Sequence, residues 1–434
     1  MTMEPFALPE NFLLGTATAS LQIEGGDCNN SWYRWVQTGH VKDGSSCIVA
    51  DDHWNRLTED IALMKQLHQQ TYRMSLEWSR IEPTRGQFDK GAIDHYRLEI
   101  QQLVSAGIRP LVTLHHFSNP LWLEDAGAWV NPGVVDLFER YTAYVVENLG
   151  DLVSDWCTIN EPNVYLASGY VTGGWPPSDI SITKYFRGAR NMILAHIKSY
   201  RKIHQVRASN GYTDTLVGVA NHLRLFDPKH GNGRERWAAG MYERLFQELF
   251  VTGMCEGRLL SPLGGGCPLG EGRYFDFLGI NYYTRDLVDC SGKPTNLLGK
   301  LEVREDSQKN DLGWELYPEG LYRVCKKYWD RYHTPIFITE NGTADARDAF
   351  RTRYIYDHLL QVSRLIEDGV DIQRYYHWSL MDNFEWIEGL SAKFGIVAVD
   401  YSTLERTVRT SGWFYSDVAK HHGVTEKMIQ QYLA

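Results

Sequence analysis

With 434 residues, the chain has room for two or three domains of ~150 residues or for one large barrel, and its 43% hydrophobic and 23% charged residues are the proportions of a soluble globular protein with a large core. Its net charge, 44 cationic against 54 anionic side chains or −10, comes without a basic run, which argues against nucleic acid or an anionic membrane as partner. Met1 to Pro9 lacks the basic and apolar regions of a secretory leader, and no stretch of ~18 apolar residues occurs. The seven cysteines are odd in number, scattered and without CxxC spacing, so reduced thiols in a cytoplasmic protein are expected, with no metal, cofactor or disulfide framework.

Eight apolar runs read as strands. The first is Phe12 to Thr18, followed closely by Gln22 and Glu24, and the second is Tyr72 to Trp78, leading into Ser79 and Arg80. Leu111 to Leu114 ends in His115-His116-Phe117, and Asp155 to Ile159 ends in Asn160-Glu161-Pro162. Leu216 to Ala220 leads to Asn221-His222, and Phe277 to Ile280 to Asn281-Tyr282-Tyr283. The seventh, Ile336 to Thr339, runs into Glu340-Asn341-Gly342, and the eighth, Tyr375 to Leu380, ends near Asp382-Asn383. Between them, apolar residues recur at helical spacing over Glu59–Leu67, Ile93–Val104, Val134–Leu149, Tyr185–His204, Leu321–Tyr332 and Tyr354–Ile366. Ala106-Gly107 and Asp368-Gly369 supply stop signals.

Strands alternating with helices, without a Gly-rich dinucleotide loop, predict an α/β fold: one (β/α)8 TIM barrel over residues 1–434, undivided by any linker. Asn163 to Ser181, with its Gly173-Gly174-Trp175-Pro176-Pro177 core, reads as a loop over the cleft. Ser261 to Arg273 is glycine-rich, but no Lys-Ser or Lys-Thr follows as a phosphate loop requires, so it reads as a turn-rich connection.

Polar residues follow the apolar part of nearly every strand, and that rim of a barrel is where active sites form. Glu161 and Glu340 end the fourth and seventh strands, so a closed barrel points both into one cleft. Two carboxylates across a substrate are what cleavage of a glycosidic bond requires: one protonated to release the leaving oxygen, one ionised to attack the anomeric carbon. A gap of about 5–5.5 Å between them means retention of configuration, and a wider one inversion. Aromatic residues, 13% of the chain with 14 Trp and 25 Tyr, can serve a core or stack on sugar rings.

Thr158-Ile159-Asn160-Glu161-Pro162 and Ile338-Thr339-Glu340-Asn341-Gly342 resemble the two carboxylate signatures of glycoside hydrolase family 1, the retaining β-glycosidases. The resemblance extends along almost the whole chain. It takes in Phe12 to Ala17, Gln22-Ile23-Glu24-Gly25, Glu77 to Ile81, Leu278 to Tyr283 and Trp378 to Trp386. It implies that Glu161 is the acid/base and Glu340 the nucleophile, with Arg80 and Tyr283 beside Glu340 and Asn160 on the sugar 2-hydroxyl. Gln22, His116 and Glu385 would bind the remaining hydroxyls with help from Trp386, and Trp378 would floor the site. A low pKa is then expected for Glu340 beside Arg80 and a raised one for Glu161.

Three positions depart from the family pattern: Phe117 where many relatives carry Trp, Asn163 where many carry an aromatic, and Leu21 before Gln22. Glu385 and Glu388 would repel a phosphate, so unphosphorylated gluco-, galacto- or fuco-configured β-glycosides are the expected substrates. A transglycosylase using the same pair, a catalytically silent sugar-binding barrel and a metal hydrolase built on His115, His116 and His222 are the alternatives. The last lacks the HExxH spacing. Oligomeric state is not legible.

Overall fold

The computed structural model describes residues 3–292 and 298–434, so Met1 and Thr2 of the opening segment and residues 293–297 lie outside it. Eight parallel strands close into a barrel: β1 (Leu13–Ala17), β2 (Thr71–Ser75), β3 (Arg109–His115), β4 (Asp155–Asn160), β5 (Leu216–His222), β6 (Leu278–Asn281), β7 (Ile336–Asn341) and β8 (Ile372–Trp378). All eight expected strands are present, within a few residues of the apolar runs. The order is sequential around the barrel, and β8 returns to pair with β1, Tyr376 opposite Gly15. Strands sheathed by helices outside and side chains inside are buried on both faces, which is why their runs are nearly continuous in apolar residues.

Helices fill each crossover: α1 (His53–Gln66), α2 (Lys90–Ser105), α3 (Val134–Leu149), α4 (Ile182–Ser209), α5 (Leu249–Glu256), α6 (Glu319–Tyr332), α7 (Arg351–Glu367) and α8 (Thr410–His421). Capping follows the local sequence. The Asp89 carboxylate accepts the Ala92 amide at 3.1 Å to start α2, and Gly107 and Gly369 take left-handed φ of 79° and 78° just past α2 and α7. Helical periodicity does not announce the decorations. Leu225–Pro228, Arg285–Asp289 and Lys300–Glu302 form a small side sheet, and Val397–Asp400 pairs with Glu405–Val408. The glycine-rich stretch from Ser261 is a surface connection held by backbone carbonyls, Leu263 O accepting from Arg190 and Leu269 O from Arg201. Among the described residues no helix is long and apolar enough to cross a membrane, and all seven cysteines are free.

The end of the barrel opposite the cavity is plugged by charge. Asp155, fully buried at the start of β4, accepts from Arg109 Nε of β3 at 2.5 Å and from Arg374 Nη1 of β8 at 2.7 Å. Arg374 also lies 4.2 Å over the Phe337 ring of β7, so four strands meet at one anion and two cations. Removing one partner leaves a buried cation unpaired. Asp155→Ala is expected to destabilise the fold by about 3–5 kcal/mol, read as a fall in denaturation midpoint, with the near-UV circular dichroism of the folded fraction unchanged.

Candidate active site

The C-terminal strand ends open on a cavity of about 570 Å³ lined by Glu161, Glu340, Tyr283, His116, Trp378, Glu385 and Trp386, among others. Glu340, 3% exposed, is the second-to-last residue of β7. The turn behind it needs glycine. A Cβ on Gly342 would sit 1.7 Å from the Trp378 carbonyl oxygen, so β7 and β8 approach too closely there for any side chain.

Two donors hold the Glu340 carboxylate. Tyr283 Oη donates to Oε2 at 2.6 Å, as expected, and Oε1 accepts from Arg73 Nη1 at 2.5 Å. The cation is therefore Arg73, not Arg80. In β2, side chains alternate, so Thr71, Arg73 and Ser75 face the opposite way from Tyr72 and Met74. Arg73 is wholly buried and reaches across the barrel to Glu340 and, through Nη2 at 2.7 Å, to Asn160 Oδ1. Arg80 stands five residues beyond the end of β2, on the one-turn helix Trp78–Ile81, after the chain has left the barrel. There it pairs with Glu24 at 2.7 Å, stacks on Trp54 and donates to the Gly25 carbonyl, and it does not line the cavity.

Glu161 follows β4 with φ 39° and ψ 60°, the left-handed region that a non-glycine residue enters only under constraint. Pro162 at the first helical position of Pro162–Ala167 and the amide bond from Glu161 N to Ala220 O at 2.8 Å supply that constraint. One carboxylate oxygen, Oε1, faces Asn281 Nδ2 at 2.9 Å and His222 Nδ1 at 3.0 Å. Asn281 also donates to Asn160 Oδ1 at 3.0 Å, and its own oxygen accepts from Thr339 at 2.6 Å. One amide and one guanidinium thus tie both acidic side chains into a single buried network.

The charge distribution differs from the expected split. Burial pushes Glu340 up to about 7, Arg73 opposing and Glu161 reinforcing, whereas Glu161 falls below its ordinary value because a charged His222 and the hydrogen bonds to it offset burial. The largest of the causes lowering Glu161 is a charge on His222. His222 Nε2, however, lies 3.1 Å from Arg224 Nε and 2.8 Å from Nη2, and a guanidinium has no acceptor. Nε2 must carry a lone pair, so the ring is neutral and donates through Nδ1. With that charge removed, the upward push of burial on Glu161 is opposed only by its hydrogen bonds and by Arg73, while the Arg73 and Tyr283 donors favour the anion on Glu340.

The expected sugar-binding residues surround this pair. His116, Trp378, Glu385 and Trp386 line the cavity, the His116 ring stacking 5.9 Å from both Trp378 and Trp386. Burial holds His116 well below its ordinary value, so it is neutral. Its Nε2 accepts from Asn160 Nδ2 at 3.0 Å, and its Nδ1 has no protein partner. Gln22 donates to Asn383 at 2.9 Å, Phe384 O at 2.8 Å and Glu385 at 3.2 Å, leaving its buried Oε1 unpartnered. The His116 Nδ1–H donor and the Gln22 Oε1 acceptor are thus both left without a protein partner, a pairing that hydroxyl groups can satisfy. Glu385 is pushed up to about 8, first by burial and next by Glu340. Glu388 does not act as a free anion, since Lys42 pairs with it at 2.6 Å.

The three histidines weighed as metal ligands have other partners. His115 faces Asn119 at 3.0 Å and Trp129, away from the cavity. Among the described residues, the ligand-spaced group is His230, Glu235 and Asp289, outside the cavity. Asn163 offers no stacking platform, as it is buried and donates to the His222 carbonyl at 2.8 Å. Leu21 lines only a small void beside Glu24 and Arg80. Phe117 does join the aromatic wall, 4.9 Å from Trp175 and 5.1 Å from Trp386; of the expected loop, the part up to Thr172 is helical instead, and the irregular remainder brings Trp175 into the cavity. Arg73, Asn281, Arg224 and Trp314 are site residues not anticipated from sequence. Arg73 alone had a signal, a cation in mid-strand.

A barrel of this topology with an acidic, aromatic-walled cavity at its C-terminal mouth defines a barrel enzyme of the carbohydrate-active class. The family model described as "Glycosyl hydrolase family 1" matches residues 5–261 and 272–424. Beta-glucosidase A of Thermotoga maritima is 35% identical, over 96% of this chain and 99% of its own, and a beta-galactosidase of Saccharolobus solfataricus is 31% identical over 98% and 97%. Among solved structures, a beta-glycosidase from Pyrococcus horikoshii superposes with a TM-score of 0.90 at 36% identity, covering 99% of this chain and 98% of that one. The chain belongs to glycosyl hydrolase family 1.

Arg73→Met is expected to lower kcat/KM on a nitrophenyl β-glycoside by about 10²-fold or more, whereas Arg80→Met should lower Tm with a far smaller kinetic effect. A second test uses Glu385. A carboxyl raised in the folded state binds more protons folded than unfolded, so its stabilisation is present below its ordinary value of 4.5 and lost as pH rises to about 8. Glu385→Gln, neutral throughout, should therefore gain in Tm relative to the unsubstituted protein between those limits, measured by calorimetry across pH.

Proposed function

We propose that the protein is a retaining exo-β-glycosidase, of β-glucosidase type, in which Glu340 attacks the anomeric carbon and Glu161 protonates the departing oxygen. The observation that carries this is the pair of buried carboxylates facing one cavity, with donors to an anion placed on Glu340 and a neutral imidazole placed on Glu161. Arg73 and Tyr283 hold the nucleophile charged and oriented. Once a glycosyl ester forms, the Glu340 charge is gone, the repulsion that favours a protonated Glu161 disappears, and Glu161 becomes the base toward water.

The non-reducing sugar would lie against Trp378, with hydroxyls on Gln22 Oε1, His116, Glu385 and Trp386. Asn160, adjoining Glu161, has one amide hydrogen on His116 and a second for the 2-hydroxyl, a contact that strengthens in an oxocarbenium-like transition state. Buried carboxyls at Glu340 and Glu385 resist a second and third negative charge, which favours unphosphorylated sugars. The identity with T. maritima Beta-glucosidase A supports glucosides as preferred substrates, and the S. solfataricus beta-galactosidase supports tolerance of an axial O4. Intact donors on both carboxylates speak against a silent sugar-binding barrel. The whole chain acts as one catalytic domain, and seven free cysteines suit a reducing, cytoplasmic setting.

A panel of nitrophenyl β-glycosides with NMR of the first-formed anomer tests this. A β product from a β substrate is expected, and an α product would defeat the double-displacement scheme. Glu340→Gln should abolish turnover. Glu161→Gln should lose about 10²–10⁴-fold on substrates that need protonation, while a dinitrophenyl glycoside still glycosylates the enzyme.

A further inference from the structure

We infer that Arg224 is a positioning residue that locks His222 in its neutral Nδ1–H tautomer and so assigns the catalytic proton to Oε2 of Glu161. This rests on the proposed role of Glu161 as acid/base and specifies how that role is maintained.

The geometry runs inward from the side sheet. Asp286, on Arg285–Asp289, accepts from Arg224 Nη1 at 2.7 Å. Arg224 lies over the Phe246 ring at 5.5 Å, its backbone amide bound to Gln247 Oε1 at 3.1 Å, so the guanidinium is fixed on three sides. Its Nε and Nη2 both point at His222 Nε2, and only a lone pair can receive them. The remaining ring proton is on Nδ1, 3.0 Å from Glu161 Oε1. Asn281 Nδ2 donates to that same oxygen, and Thr339 fixes the Asn281 amide in this orientation. An oxygen that accepts two N–H donors is a poor place for a proton. When Glu161 is protonated, the hydrogen therefore resides on Oε2, the oxygen left for the substrate.

Without Arg224 the imidazole could take that proton. The one-proton state of the pair would then divide between a neutral imidazole facing a carboxylic acid and an imidazolium facing a carboxylate, and only the first can protonate a leaving group. Groups facing the pair from other elements do not prevent this transfer. Tyr283 stacks on the His222 ring at 5.9 Å, Phe246 meets it edge-on, and Asn163 binds only the His222 carbonyl. Glu340 opposes a charge on Glu161 and Arg73 favours one. Asp286, freed of Arg224, would further favour the imidazolium.

The test joins side-chain nitrogen NMR to leaving-group kinetics, using Arg224→Met, which keeps length and apolar packing, and Arg224→Lys, which keeps a donor. In the unsubstituted protein at neutral pH the His222 nitrogens, assigned by their loss in His222→Asn, should be those of the neutral Nδ1–H ring. In Arg224→Met they should become those of a doubly protonated ring, and Arg224→Lys should restore the neutral form. The ratio of kcat/KM between a dinitrophenyl glycoside and an alkyl glycoside should rise about tenfold in Arg224→Met. That rise should vanish when Arg224→Met is placed on His222→Asn, whose amide can donate but cannot charge. A His222 ring that takes up a second proton near neutrality in the unsubstituted protein would overturn the inference, as would a leaving-group ratio unmoved by Arg224→Met. Failure of the acid/base assignment itself shows separately, as a Glu161→Gln variant with no leaving-group dependence, and the nitrogen shifts still decide the part assigned to Arg224.

Discussion

A guanidinium with no water on it governs this molecule. Arg73 is fully buried in the barrel, and an unpaired cation there would be prohibitive, so Glu340 and Asn160, which it binds along with Thr113 and the Thr339 carbonyl, are held as firmly as the strand that carries it. Satisfying that one charge brings β7 and β4 to β2 at a defined height. Asn160 then engages His116 and Asn281, and Asn281 engages Glu161. The reacting carboxylates are positioned as consequences of a single electrostatic requirement rather than as two independent placements.

The barrel separates this requirement from its stability. Asp155 with Arg109 and Arg374 forms another buried charge cluster at the far end, where it joins four strands and touches no part of the cavity. Between the two clusters lie the packed apolar and aromatic residues of the strands. Polar strain can therefore be concentrated at the mouth, where Glu161 has a left-handed backbone and Glu385 a carboxyl displaced to about 8, while the base holds the strands in register.

Strand positions were legible because each is a short, doubly buried apolar run with a polar residue at its exit. Glu161, Glu340, Tyr283 and His116 could be found for the same reason: they lie within three residues of the apolar end of a strand. Arg80 misled because it, too, follows a strand and carries the right charge. What sequence spacing does not show is that Leu76 and Glu77 already lead the chain outward, whereas Arg73 remains inside on the alternating face. The parts played by Asn281, a strand-exit amide, and by Arg224 were hidden for another reason. Their roles depend on which neighbour they meet across the barrel or in the side sheet, and no local pattern reports that contact. The balance between the two carboxyls likewise turns on a tautomer that only the Arg224 contact reveals.

Gly342 has an effect beyond its own turn. Because its backbone presses against the carbonyl of Trp378, the strand bearing the attacking carboxylate and the strand bearing the sugar's platform are in direct mechanical register. Exchanging the platform for a smaller ring invites the carbonyl to shift, and the neighbouring backbone must follow. On the proposed reading, selection for a new glycone in this scaffold is thereby steered toward Gln22, Glu385 and Trp386, where adjustment leaves the geometry of Glu161 and Glu340 undisturbed.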